Sequence, residues 1–245
     1  TKGGNWACNK KYFDFKCGGF ALKIEEGAFE KEPRLERQLR DDLEAIERIL
    51  PITARLAMQK HTMWVNYSCT YGQPEKPVVG RGAVTHWSSK WLVKNSNIPE
   101  KKGCLEIYNA KDYCDWVGEQ PAMLLHELCH VLHQEWEKEV DGEIVKAYEK
   151  AMANGKYEHS ARICGKEQAH YACTNHKEYF AEVCQAFWST ERFRADYHPF
   201  YRGELCEFDR EGAEMCARVW GVSIEEAENL CGGPRDVSAH PNFVG

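Results

Sequence analysis

A chain of 245 residues, 43% of them apolar, can bury one large core or two small ones, and its composition is neither disordered nor of low complexity. Its 32 basic and 38 acidic side chains leave a net charge of −6 with no basic block, which argues against nucleic acid or an anionic membrane surface as the main partner. No apolar run reaches the roughly 18 residues of a membrane span, because the longest, Ala122 to Leu132, is interrupted by His, Glu and Cys.

The first 32 residues are rich in Gly, Lys and aromatics and carry Cys8 and Cys17. They are expected to form a disulfide-tied segment ahead of one catalytic domain over 33–245, which divides into an N-terminal α/β part to about residue 138 and a helical part after it. From Pro33, Leu35, Leu39, Leu43, Ile46 and Leu50 recur every three or four residues, the stripe of an amphipathic helix. Met63–Tyr67 reads as a short strand, rich in aromatic and branched residues. Residues 70–103 read as loops, with a short strand or helix near Val84 to Val93. Cys104, Leu105, Glu106, Ile107 and Tyr108 alternate and read as a strand. Pro121 suits the first turn of a helix that should run to about Lys138. Further helices are expected over 141–157, 175–188, 204–219 and 223–231. Few strands followed by many helices predicts an α+β fold, a small mixed sheet with a mostly helical C-terminal half.

Twelve cysteines are spread along the whole chain with no C-x-x-C pair. An even, scattered set favours disulfides and an oxidising compartment, hence a secreted, extracellular protein. The chain starts at Thr1 without a leader, as a mature form would. Asn66-Tyr67-Ser68 is a glycosylation sequon, a weak signal in the same direction.

The chemistry concentrates in 121-PAMLLHELCHVLHQ-134. His126-Glu127-Leu128-Cys129-His130 is H-E-x-x-H. On a helix the two histidines stand one turn apart on one face and can both reach one zinc ion. Glu127 then lies beside the open coordination position, where it can act as general base toward metal-activated water. The competing reading is a pair of hydrogen-bonded structural histidines. The apolar neighbours Met123, Leu124, Leu125, Leu128, Val131 and Leu132 bury the helix, so these polar groups need partners or a metal. A third ligand is required. His133 lies seven residues, about 10.5 Å, along the axis from His126 and converges poorly, so it suits a cleft wall or the fold better. The sequence also lacks the glycine and third histidine of H-E-x-x-H-x-x-G-x-x-H, with His133 and Trp136 in those positions. The other source is the later helix, where Glu178 and Glu182 stand four apart; one can bind the ion and the other can hold a ligating imidazole.

HELCH followed by 171-YACTNHKEYFAE-182 resembles the anthrax lethal factor-like metalloproteases, a gluzincin branch, whose second segment has the form Y-x-x-T-N-x-x-E-[FY]-F-A-E. The twelve-position segment is far more specific than H-E-x-x-H alone, and the resemblance covers roughly residues 35–220. It implies a zincin-like fold, with the sheet packed on the active-site helix. The implied function is a zinc-dependent endopeptidase with one Zn2+ per chain, held by His126, His130 and Glu178. Glu127 is then the base, Tyr171 offers its hydroxyl to the carbonyl oxygen under attack, and Glu182 supports a ligating imidazole. The strand Cys104–Tyr108 matches the edge strand on which gluzincins lay an extended substrate. A peptide or protein substrate and a monomeric state are expected. The high cysteine content departs from the toxin, so its target preference does not carry over. The rival reading from another class is a secreted binding protein with a retained but catalytically idle zinc site.

Overall fold

The computed structural model describes residues 5–232. Residues 1–4 and 233–245, the outer ends of the two expected segments, lie outside the described residues. The described chain forms two compact units, one from residues 5–47 and 56–116, the other from 48–55 and 117–232.

The first unit opens with a hairpin of β1 (Tyr12–Cys17) and β2 (Phe20–Glu25), paired antiparallel with Cys17 opposite Phe20. Its two-residue turn, Gly18-Gly19, has φ of 53° and 75°. Two successive positive φ values suit a turn whose twist matches the flanking strands, and only glycine adopts them cheaply. The N-terminal segment is therefore held by a backbone ladder. No disulfide is formed: all twelve cysteines are free thiols in this structure, Cys17 among the buried ones. After α1 (Ala28–Lys31), α2 (Leu35–Ile49) carries the predicted stripe, with Leu35, Leu39, Leu43 and Ile46 fully buried. Pro51 separates it from α3 (Ile52–Met58); residues 48–55 of this joint are counted with the second unit.

The remaining elements of this unit are β3 (Met63–Val65), β4 (Thr70–Gln73), β5 (Lys76–Val79), β6 (Ala83–Thr85), α4 (Ser89–Lys94), β7 (Leu105–Ile107) and α5 (Ala110–Asp115). β4 and β5 form a separate hairpin. The main sheet has the order β1-β2-β3-β7-β6, with β2, β3 and β7 parallel and both outer pairs antiparallel. This overturns one expectation. Cys104, Leu105, Glu106, Ile107 and Tyr108 do not form an edge strand. Their strand β7 pairs with β3 on one side and β6 on the other, so both of its ladders are already used. All three β7 residues are buried, as a strand inside a sheet requires.

Glu106 turns its carboxylate into a closed polar cluster. Oε2 accepts from His86 Nε2 at 2.7 Å and from Asn97 Nδ2 at 2.9 Å. Oε1 accepts from Asn66 Nδ2 at 2.8 Å and from the wholly buried Lys101 ammonium at 2.5 Å. Asn66 also bonds the Ile107 carbonyl and the Tyr12 hydroxyl. The sequon asparagine is thus fully buried with both ends of its amide engaged.

The second unit is mainly helical: α6 (Met123–Glu135), α7 (Glu137–Ala153), α8 (His176–Phe187), α9 (Arg202–Phe208), α10 (Arg210–Trp220) and α11 (Ile224–Cys231). A minimal pair of strands, β8 (Ser160–Ala161) and β9 (Glu167–Gln168), interrupts them. α6 stops at Glu135, short of Lys138, because the chain turns at Trp136 before α7 begins. The single helix expected over 204–219 is two, divided at Asp209. That carboxylate caps α10 at Gly212 N and accepts from the Tyr157 and Tyr179 hydroxyls. α8 is the central element, packed against α6, α7 and α10. The Cys184 thiol in its core lies 3.7 Å from that of Cys216 and accepts from Trp220 Nε1 at 3.2 Å. The whole is a mixed α+β protein, about half helical. None of its described helices is long and apolar enough to cross a membrane.

Candidate metal centre

His126, Glu127 and His130 sit in the middle of α6, with Leu124, Leu125, Leu128, Val131 and Leu132 fully or almost fully buried around them. One turn of helix places the two imidazoles on the same face, 4.8 Å apart between ring centroids and nearly perpendicular. α8 delivers the third group. Asn175 caps that helix, accepting from the backbone N–H groups of Lys177 and Glu178 at 2.9 and 3.1 Å. The cap fixes the first turn, and Glu178 projects from it toward α6.

Three atoms then converge. Glu178 Oε2 lies 3.2 Å from His126 Nε2 and 3.2 Å from His130 Nε2, and the two nitrogens are themselves 3.2 Å apart. Charge-assisted N–H···O bonds usually close to about 2.7–2.9 Å, so this triangle is wide for proton sharing. A tetrahedral ion bonded at about 2.0–2.1 Å spaces its donors about 3.3 Å apart, close to what the three side chains present. Two imidazoles and one carboxylate are also a donor set suited to zinc and its neighbours in the first transition row. The residues therefore fit the ion that the motif implies.

The surroundings hold this arrangement. Glu182, one turn beyond Glu178, is buried, with Oε1 3.3 Å from His126 Nδ1. For His126 to ligate through Nε2 while neutral, Nδ1 must carry the proton, and Glu182 stands where that N–H needs an acceptor. Gln185, three residues further, brings its amide to within 2.9 Å of the same Nδ1. Burial acts against charge on His126, yet hydrogen bonds to Glu178 and Glu182 raise its imidazole well above the usual range. Burial likewise opposes the Glu178 carboxylate, but His126 and His130 hold it well below the usual range. Both directions describe negative charge facing two imidazoles across a gap that a cation would neutralise. Behind Glu182, the buried Asp196 carboxyl is pushed up, first by desolvation and then by the Glu182 charge.

Tyr171 lies in a short 3-10 turn (Tyr171–Cys173), its ring centroid 6.5 Å from that of His126 and about half its surface exposed. Burial and then the charges of Glu178, Glu127 and Glu182 push its phenol up to about 12, so it keeps its proton at neutral pH. Glu127 is buried in the motif helix. His126, Glu127, His130, Tyr171, Glu178 and Glu182 thus belong to one unit and to neighbouring elements.

Two further residues lie beside the site. His170 is buried, accepts from Ala172 N through Nδ1 and stacks on Tyr197 at 4.6 Å between centroids. Gln185 escaped the reading altogether. Its signal was present, since Glu178, Glu182 and Gln185 follow one helical stripe, but a neutral amide carries no metal-ligand signature. Comparison of the chain with protein-family models, with curated proteins and with solved structures finds no match in any of the three.

Proposed function

We propose that this protein is a zinc-dependent endopeptidase of zincin-like fold, with His126, His130 and Glu178 as the ligands of one catalytic ion and a peptide or protein as substrate. The observation that carries the reading is the 3.2 Å triangle of two Nε2 atoms and one carboxylate oxygen, with Glu127 in the same helix next to the first ligand. An ion bound there supplies Lewis-acid polarisation and makes water acidic enough to react near neutral pH.

The chain's own residues do the rest. Glu127 takes the proton of the attacking water and passes it to the departing amine nitrogen. Tyr171, still protonated, offers its hydroxyl to the oxygen that gains negative charge as the carbonyl carbon becomes tetrahedral. Glu182 fixes the ring orientation and tautomer of His126 by accepting from Nδ1–H, and Gln185 lies against the same edge of the ring. The buried walls of α6 and α8 keep the polar groups at fixed distances, which limits reorganisation during the reaction. A secreted setting belongs to the same proposal and rests on the number and scatter of the cysteines alone, although all twelve are free thiols in this structure and the sequon is buried. A monomer acting on polypeptides is the simplest assembly consistent with a site drawn from one chain.

The test is Glu127→Gln assayed on a mixed peptide library alongside metal content. Cleavage should fall by roughly 10²–10⁴-fold, the usual worth of a general base, while bound zinc stays at the wild-type level. A wild type that binds zinc yet cleaves nothing would favour the idle-site reading instead.

A further inference from the structure

A second cluster with metal-ligand chemistry lies in the same unit and takes no part in the site above. His133 from α6, Asp141 from α7 and His176 from α8 bring one donor atom each to within 4.8 Å of one another. Asp141 Oδ1 is 2.9 Å from His133 Nε2 and 3.1 Å from His176 Nε2. The imidazole rings meet edge to face at 5.8 Å between centroids.

We propose that His133, Asp141 and His176 form a second binding site for a divalent transition-metal ion of the zinc type, one that pins α6, α7 and α8 together. Three observations carry this. The donors come from three different helices and converge, which a lone surface ion pair does not require. The set is two imidazoles and a single carboxylate, which suits zinc, nickel or copper and is poor for calcium or magnesium, whose sites are built from oxygen. The burial is graded as a metal site needs: His133 is completely enclosed, while the side chains of His176 and Asp141 keep 27% and 37% of their surface in solvent. One side thus anchors the ion and the other admits it, together with the water that completes its coordination.

The rival arrangement is a hydrogen-bonded clamp, with the Asp141 carboxylate accepting from both rings. It uses the same contacts and differs only in whether zinc enters.

The experiment is zinc stoichiometry by elemental analysis, on chains stripped with chelator, re-equilibrated with zinc and freed of excess. Wild type, Asp141→Asn, His176→Ala and Glu178→Gln are compared. The proposal expects two zinc ions per wild-type chain, and one in either Asp141→Asn or His176→Ala, with the zinc-dependent rise in Tm reduced in both. Both residues are partly exposed, so two independent variants guard against one that fails to fold. The clamp reading predicts that neither variant lowers the zinc count, and that result overturns the proposal, as does a wild-type chain holding a second ion that neither variant removes. The outcome separates from that of the catalytic reading. Glu178→Gln should remove one ion while leaving the second. If it removes none and Asp141→Asn removes one, the catalytic assignment fails and the second site stands.

Discussion

Glu106 in the first unit and Glu178 in the second both lie against imidazole, at 2.7 Å from His86 in one case and at 3.2 Å from both His126 and His130 in the other. The partners explain the difference. Glu106 faces two side-chain amides and a fully buried ammonium, so its two oxygens are occupied by donors that include a permanent cation. Among the described residues Glu178 pairs with two imidazoles rather than with an ammonium, so three metal-type donor atoms meet at one point. A buried carboxylate closed by a cation serves the fold, whereas one gathered with imidazoles at metal-donor spacing is the arrangement that the proposed function uses.

The largest way to break this comparison acts on the closed cluster. Lys101→Met removes the cation and strands a carboxylate with no exposed surface. Unfolding in denaturant should show a loss of about 3–5 kcal/mol. Acid should reach the same cluster. Burial tends to raise the Glu106 carboxyl, but His86 and Lys101 overcome it and hold it at about 2. Its folded value therefore lies below its unfolded one. The stability it contributes is complete above the ordinary carboxylate range, and is lost as pH falls from there through about 2. An acid-unfolding midpoint that does not move in Lys101→Met would contradict this account.

At the open cluster, Tyr171→Phe should lower kcat by roughly 10²–10³-fold, the scale for deleting one oxyanion donor, with zinc content and KM close to wild type. A change confined to KM would place the phenol in substrate binding instead. Smaller still, Glu182→Gln should weaken zinc affinity by about 10–100-fold by loosening His126, measured by competition with a chelator of known affinity. No change would mean that Glu182 does not orient the ring.

Much of this was legible in the sequence, and for physical reasons. The α2 stripe and the motif helix were readable because an apolar face repeats at helical spacing, and α8 because its Asn cap and packed aromatics are both local signals. The β1–β2 hairpin was missed although Gly18-Gly19 sits between two alternating runs, because Cys8 and Cys17 drew the reading toward disulfides. The β4–β5 hairpin was missed for a better reason: β5 is exposed along its whole length, so no burial pattern marks it. The misplaced edge strand shows a different limit. Leu105–Ile107 alternates as expected, yet which strands flank it depends on β3 and β6, far away in the chain, and no local pattern encodes that. Likewise, H-E-x-x-H marks two imidazoles on one helix face, but only the packing of α8 against α6 brings Glu178 to 3.2 Å and aligns Gln185 behind His126.

The most direct measurement of the central claim is zinc content in the wild type and in Glu178→Gln, with circular dichroism to confirm that both are folded. The account predicts bound zinc in the wild type and the loss of one equivalent per chain in the variant. A folded wild type that takes up no zinc, or a Glu178→Gln protein that keeps every equivalent, would contradict it and leave the two histidines of α6 as groups that serve the fold.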